Sequence, residues 1–457
     1  MQSGPLPKAA ITPYRTQNRA AGAGVRRQQP HAAYGRALTI GTAAVAIYLM
    51  VVHTYKLPLG TAAICVGLFG VALTVRPLRA CPPIYFYAAF LAWSLVTLPA
   101  AINTALAWAT WVDLFKIFLI GCLAFNAIRT RAQHRFITLV WLGLFAFYPV
   151  RGTLFNFLTG NGGFGRYGWN FAFANYNDMA TFTLMPLAMS FERLRSGDKL
   201  WVRACALAGV IVLPFIILIT QSRAGMLSLA VMFLYLFVGT RHKLRLGSAV
   251  VGIALVAVMF APQGVWDRIR GMQYLTSVET LGQSDSSAEQ RYTIWQVARQ
   301  VIADNPAIGV GIGNYPIAHE QYARSKPEWS FARGQKDAHS TYLRLMAETG
   351  LVGTVLFFLV FVSCFMEVQR KIKQIDQRKT LHSGLSRERC RTYQAALLGL
   401  GVSAVFASLE IVVFPFLGVA LIASAMRLDG AAAPSIIRRV KRQMPSSAGV
   451  GIAARAV

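Results

Sequence analysis

Apolar residues run along this chain in long blocks separated by short polar or Gly/Pro breaks. They do not recur at the three- and four-residue spacing of a helix half-immersed in water. A helical bilayer crossing takes about 20 mostly apolar residues, and the blocks predict twelve crossings: 37–52, 57–75, 84–102, 108–128, 136–150, 177–191, 201–220, 224–238, 246–261, 351–368, 395–409 and 412–426. Several are shorter than the hydrocarbon layer and extend into their flanks. The fold expected is an all-α polytopic membrane protein. Its parts are a tail (1–36), nine spans (37–262) with an external loop at 151–176, a long helical external loop (263–350), three more spans (351–427) and a second tail (428–457).

Composition agrees with the pattern. Of 457 residues 55% are hydrophobic and 14% charged, where a soluble domain carries about a quarter charged, so a cytosolic globular enzyme is excluded. The formal charge of +28 could suggest nucleic acid, but the cations punctuate apolar runs instead of forming a polar face, and no nucleic-acid partner is expected. Lys and Arg near span ends stay on the cytoplasmic side. With both termini cytoplasmic, the larger share falls inside, including Arg76, Arg79, Arg129, Arg131, Arg193, Arg195, Arg241 and the group from Arg370 to Arg391. Residues such as Arg370, Lys371 and Lys373 are expected to meet anionic membrane lipids. Residues 1–36 are basic and lack the apolar stretch of a cleavable signal, so the first span is read as an anchor. The six cysteines map to spans or cytoplasmic segments, and no disulfide framework is expected.

Chemistry is expected in the two long external segments, since loops of this length are commonly functional. The first is rich in glycine and aromatics, contains Arg151 and Arg166, and ends Asn175-Tyr176-Asn177-Asp178 before the next span. Asn177 or Asp178 suits a helix N-cap or a substrate contact. A tight turn, Gln221-Ser222-Arg223-Ala224-Gly225, offers donors to an oxyanion or a guanidinium snorkelling to water. In the long loop, Ser286-Ser287-Ala288-Glu289 reads as a capping box opening an amphipathic helix with Arg291, Trp295, Ala298 and Ile302 on one face. The apolar members suit a helix lying on the membrane, whereas Arg291 sits in the first turns, where the helix dipole favours an anion. The Gly309-Val310-Gly311-Ile312-Gly313 stretch follows a helix and lacks the Gly-Lys-Ser of a nucleotide loop, so a flexible turn against a polar headgroup is expected. Of His53, His319 and His339, all expected outside, His339 has the carboxylate Asp337 two residues before it and a helix start directly behind it. Imidazole is the usual general base near neutral pH and a carboxylate can hold its tautomer. Two further features are read as structural: Asp113 with Lys116 as a buried pair, and Glu410 as a helix-end residue near the outer interface.

These residues together resemble the O-antigen ligase and polymerase superfamily of bacterial membrane proteins. The resemblance rests on the Ser-Arg-Ala-Gly turn at Ser222 to Gly225, the Arg-x-x-x-Trp helix at Arg291 to Trp295, Pro-x-x-Gly-x-Gly at Pro306 to Gly311, and His-Ser-x-x-Leu…Glu-x-Gly-x-x-Gly from His339 to Gly353. It looks most like the lipopolysaccharide O-antigen ligases. The resemblance implies a GT-C-like, inverting, metal-independent glycosyltransferase with no cofactor. It would move glycan from undecaprenyl pyrophosphate to the lipid A core at the periplasmic face of the inner membrane. On that reading His339 is catalytic and Arg223 and Arg291 hold the pyrophosphate. Arg151, Arg166, Asn175, Asp178, Ser222 and Asp337 are secondary donor or positioning candidates. A repeat-unit polymerase and a protein O-oligosaccharyltransferase share this chemistry. A lipid-glycan transporter would instead distribute polar residues through the membrane midplane.

Overall fold

The computed structural model describes residues 37–431, apart from 56–57, 75–76, 164, 379–382 and most of 241–285. The tail 1–36 is therefore outside it, as is the tail 428–457 beyond residue 431, and so are most of the expected ninth span (246–261) and the start of the long loop. The described residues are helical and contain no strand, only an isolated bridge between Gly163 and Arg166.

The first helices are α1 (Ile40–Thr54), α2 (Gly60–Thr74), α3 (Pro82–Val96), α4 (Thr104–Ala127) and α5 (Arg131–Phe145). Then follow α6 (Arg151–Leu158), α7 (Tyr176–Arg195), α8 (Leu200–Ile219), α9 (Arg223–Gly239), α10 (Ser286–Asp304) and α11 (Tyr315–Ser325). The last are α12 (Thr341–Arg378), α13 (Ser383–Ser403) and α14 (Val413–Ala431). Among the described residues, four stretches are long and apolar enough to cross a membrane: Thr104–Ala127, Arg131–Leu158, Leu200–Ile219 and Thr341–Gln377. Five shorter apolar helices match other expected spans: Ile40–Thr54, Gly60–Thr74, Pro82–Val96, Arg223–Gly239 and Val413–Leu428. The stretch Arg131–Leu158 is continuous because a π-helical turn at Ala146–Val150, containing Pro149, joins α5 to α6. This carries helix eight residues into what the sequence suggested was loop.

The bundle is assembled around α7, α13 and α14. Helix α12 packs along α3 and α13, α13 along α7 and α9, and α14 along α4. Its core is apolar, and so are many outward faces: Phe69, Phe147, Leu158, Leu200, Trp201 and Val238 are exposed. Large apolar side chains turned outward on this scale suit solvation by lipid.

A second, smaller core forms where residues 286–350 fold together. Val297, Ala298 and Val301 of α10 pack with Val310, Tyr315, Ala318 and Ala338. Helix α10 thus lays its apolar stripe on this unit, not on a membrane surface. The glycine stretch is likewise not a loose turn. Gly309 to Tyr315 are all buried; Gly311 (φ 90°) abuts Ala101, and the Ile102 amide donates to the Val310 carbonyl at 3.2 Å. A flexible, solvated loop would leave those amides to water, whereas here they fasten the small unit to the end of α3 and the start of α4.

Helix α12 breaks at Gly350 (φ 67°, ψ −170°). A Cβ there would collide with the Ala307 carbonyl, so glycine is needed both for the left-handed backbone and for the close approach. The break lets Thr341–Thr349 belong to the small unit while the rest of α12 runs through the bundle.

Candidate functional site

His339 is the last residue but one before α12 and sits in the left-handed region (φ 48°). That conformation is uncommon for a residue with a Cβ. The surroundings impose it from several sides. The His339 amide donates to Asp337 Oδ2 at 3.2 Å, and the Leu343 amide donates to Ser340 Oγ at 3.5 Å, which makes Ser340 the cap of α12. Thr341 is clamped to the α13–α14 connection by its amide and hydroxyl, which donate to the Ala404 and Ala407 carbonyls.

The imidazole Nδ1 stands 3.5 Å from Asp337 Oδ2, and the side chain keeps 38% of its surface exposed, so the other ring nitrogen can face a substrate. Asp337 is itself fixed. Ser408 Oγ donates to its Oδ2 at 2.6 Å, and Arg344 Nη1 contacts its Oδ1 at 3.0 Å. Burial would raise the Asp337 carboxyl, but Arg344, Ser408 and His339 outweigh it and hold it below the usual carboxylate range. Burial lowers the His339 imidazole below its ordinary value; Asp337 opposes this, and Arg291, Arg344 and Lys336 add to it. A depressed imidazole is neutral, and able to accept a proton, at neutral pH.

Beneath Asp337 lies a buried ionic layer. Arg344 Nε is 3.0 Å from Glu348 Oε1 and 3.2 Å from Glu410 Oε1. Glu348 also accepts the Gly313 amide at 2.8 Å and the Tyr315 amide at 3.2 Å. Three carboxylates thus share one guanidinium, and burial pushes the Glu410 carboxyl up to about 8 despite facing it.

Arg291 comes to His339 through its own helix. Four residues along α10, Trp295 stacks on Phe406 and its Nε1 donates to the Ala338 carbonyl at 3.0 Å. One helical turn back on the same face puts Arg291 within electrostatic reach of both His339 and Asp178. Asp178, in the first turn of α7, also senses Asp337.

The neighbouring residue Asn177 carries the link onward. Its Oδ1 accepts Ser222 Oγ at 2.8 Å and Arg166 Nη2 at 3.3 Å. Ser222 caps α9, accepting the Gly225 amide at 3.2 Å, and Arg223 is the first residue of that helix. Arg166 also donates from Nε to the Thr220 carbonyl at 2.9 Å and lies over the Tyr176 ring at 4.5 Å. The N-termini of α7 and α9 therefore meet at Asn177 and Ser222 beside Arg166, and Arg291 lies within electrostatic reach of Asp178 and His339. This is a positive environment suited to a phosphate-bearing ligand.

Residues 208–358 match the family model described as O-antigen ligase. This stretch is similar to the O-antigen ligase family. It contains Arg223, Arg291, Asp337 and His339, while Arg151, Arg166, Asn175 and Asp178 lie before it. The chain is also similar to the exopolysaccharide production protein ExoQ of Rhizobium meliloti (strain 1021), 26% identical over 230 residues. The alignment covers 47% of this chain and 49% of that protein, so the chain spans about half the length of the curated relative it matches.

Several expectations from the sequence change in the structure. The N-cap of α7 is Asn175, whose Oδ1 accepts the Asn177 amide at 2.9 Å, which releases Asn177 and Asp178 from capping. Arg151 donates to the Phe147 carbonyl one turn back at 3.2 Å, and among the described residues no hydrogen bond joins it to the cluster. Asp113 and Lys116 pair at 2.9 Å on an exposed face instead of a buried one. His53 is buried in the last turn of α1 among Trp141, Phe145 and Phe414. Glu410, in the connection between α13 and α14, is buried in the ionic layer. Sequence reasoning gave no role to Arg344, Glu348 or Ser408. The available signal was the i, i+4 spacing of Arg344 and Glu348 directly behind His339, together with a lone Glu410 among apolar residues.

Proposed function

We propose that this protein is an O-antigen ligase that transfers glycan from undecaprenyl pyrophosphate to the lipid A core oligosaccharide at the periplasmic face of the inner membrane, with inversion and without a metal ion. The observation carrying this reading is His339, held beside Asp337 and within reach of Arg291, inside the stretch that matches the O-antigen ligase family. An acceptor hydroxyl oxygen attacks the anomeric carbon of the donor sugar while the bond from that carbon to the pyrophosphate oxygen breaks. The hydroxyl proton passes to His339 Nε2, the nitrogen turned away from Asp337. The bonding pair leaves with the pyrophosphate, whose growing charge Arg223 and Arg291 stabilise. Ser222, Arg166 and Asn177 shape the donor pocket, Asp178 positions Arg291, and Asp337 holds the imidazole. Twelve crossings with both termini cytoplasmic would put this site on the periplasmic side.

A second reading, repeat-unit polymerisation with a glycan acceptor, is favoured by the similarity to an exopolysaccharide production protein. The same catalytic step serves it. The deciding experiment offers purified protein a lipid-linked glycan with, in separate reactions, lipid A core, glycan or peptide as acceptor. A lipid A core product is expected; elongated glycan alone would replace the ligase reading with polymerisation. Transfer should continue in excess EDTA, and its loss on chelation with recovery on adding a divalent ion would end the metal-independent mechanism.

A further inference from the structure

At the far end of the bundle from His339 the helices line an open, strongly basic cavity of about 410 Å³. The twenty residues from Gly350 to Arg370 rise about 30 Å along α12, so the two sites lie roughly one hydrocarbon thickness apart. Arg79, Arg370, Lys371 and Arg427 line the cavity with one carboxylate, Glu367. These cations come from three regions distant in sequence: the connection before α3, the end of α12 and the end of α14.

The site is built. Asn126 of α4 holds the Arg79 backbone from both sides, accepting its amide at 2.8 Å and donating to its carbonyl at 3.0 Å. Arg427 lies over the Phe125 ring at 4.2 Å and donates from Nη2 to the Phe125 and Ile128 carbonyls, closing the end of α4. Its Nη1 is buried, lines the same region and makes no hydrogen bond among the described residues. Lys371 is also buried. Arg129 stands beside this group, donating to the Pro77 carbonyl at 3.2 Å, and its charge and that of Arg79 both act on Arg427. Like charges gathered this closely, with a single carboxylate among them, repel unless an anion joins them. The remaining wall is apolar, made by Phe125, Pro82, Ala423 and Met426.

We propose that this cavity binds a phosphate-bearing anion, either the headgroup of an anionic phospholipid or free inorganic phosphate. Forked guanidinium groups and an ammonium suit phosphate oxygens, and the apolar wall can take the glycerol and first methylenes of a lipid. This is a defined site, beyond general attraction of basic helix ends to a charged surface, and it does not rest on the transferase reading.

The test uses the full chain, delipidated in detergent and titrated with phosphatidylglycerol, phosphatidylethanolamine or inorganic phosphate, with binding read by native mass spectrometry. One phosphatidylglycerol should be retained in preference to phosphatidylethanolamine. The double variant Arg79→Gln/Arg370→Gln should retain about tenfold less. Lys373→Gln, on the same helix but not lining the cavity, should bind as the parent does. Competition by millimolar phosphate without lipid preference would support the site and identify its ligand as free phosphate. Because Arg427 also closes the end of α4, it is left unchanged, and thermal unfolding checks that the double variant is folded. A folded double variant binding phosphatidylglycerol and phosphate as tightly as the parent would overturn the proposal, as would equal retention of the two lipids with no phosphate binding.

Discussion

On the proposed mechanism the chemistry falls to His339, whose protonation state is set by its neighbours. As the base it must be neutral, and its pKa is depressed, so the acidic limb of kcat/KM should lie below the ordinary imidazole value of about 6.5. Asp337 opposes the depression and Arg291 contributes to it. Asp337→Asn should therefore move the limb to lower pH while reducing kcat through loss of orientation, and Arg291→Gln should move it to higher pH. A pH–rate profile reads both, and shifts in the same direction would remove the assignment of His339 as base. His339→Ala should lower transfer by roughly 10²–10⁴-fold with donor binding retained; full turnover by the folded variant would transfer the base role elsewhere. Arg223→Gln should cost roughly 10²–10³ in kcat if it meets the leaving group, measured by single-turnover transfer.

At the scale of elements, two residues fasten the small unit that carries His339. Glu348 joins Arg344 to the amides of Gly313 and Tyr315 from a fully buried position. Glu348→Ala would leave a buried guanidinium short of a partner and two amides unsatisfied, and should destabilise the protein by about 3–5 kcal/mol. Glu410→Gln should be far milder at neutral pH, because burial already raises that carboxyl to about 8. Thermal unfolding in detergent compares them, and equal losses would contradict this account of the ionic layer. The apolar blocks legible in the sequence located most of the described helices, and the start of α10 is found where the Ser286 signal lay. It did not reveal that α10 packs on protein: an amphipathic stripe has the same spacing whether it faces lipid or Val310 and Tyr315.

For the whole molecule, the arrangement of cations predicts sidedness. In a cysteine-free background, Lys336→Cys beside His339 should react with a membrane-impermeant maleimide added outside intact spheroplasts. Lys373→Cys should react only after permeabilisation. The reverse pattern would invert the topology and move the proposed site to the cytoplasm. Separation of the two by the length of α12 makes the readout unambiguous, and the basic cavity then faces the leaflet where the positive-inside bias concentrates Lys and Arg.

Long uninterrupted apolar blocks determined by themselves that this chain forms apolar helices, because only segments that satisfy their own backbone hydrogen bonds are stable in hydrocarbon. The order of short motifs likewise marked Arg223, Arg291 and His339. Which side chains meet was decided by the tertiary structure alone. Ser408 and Glu410 reach Asp337 and Arg344 across some seventy residues, Asn177 reaches Ser222 across 45, and Arg79 is fastened to Asn126 across 47. Local sequence dictates hydrogen bonding along one helix, but contacts between helices depend on how their faces pack together.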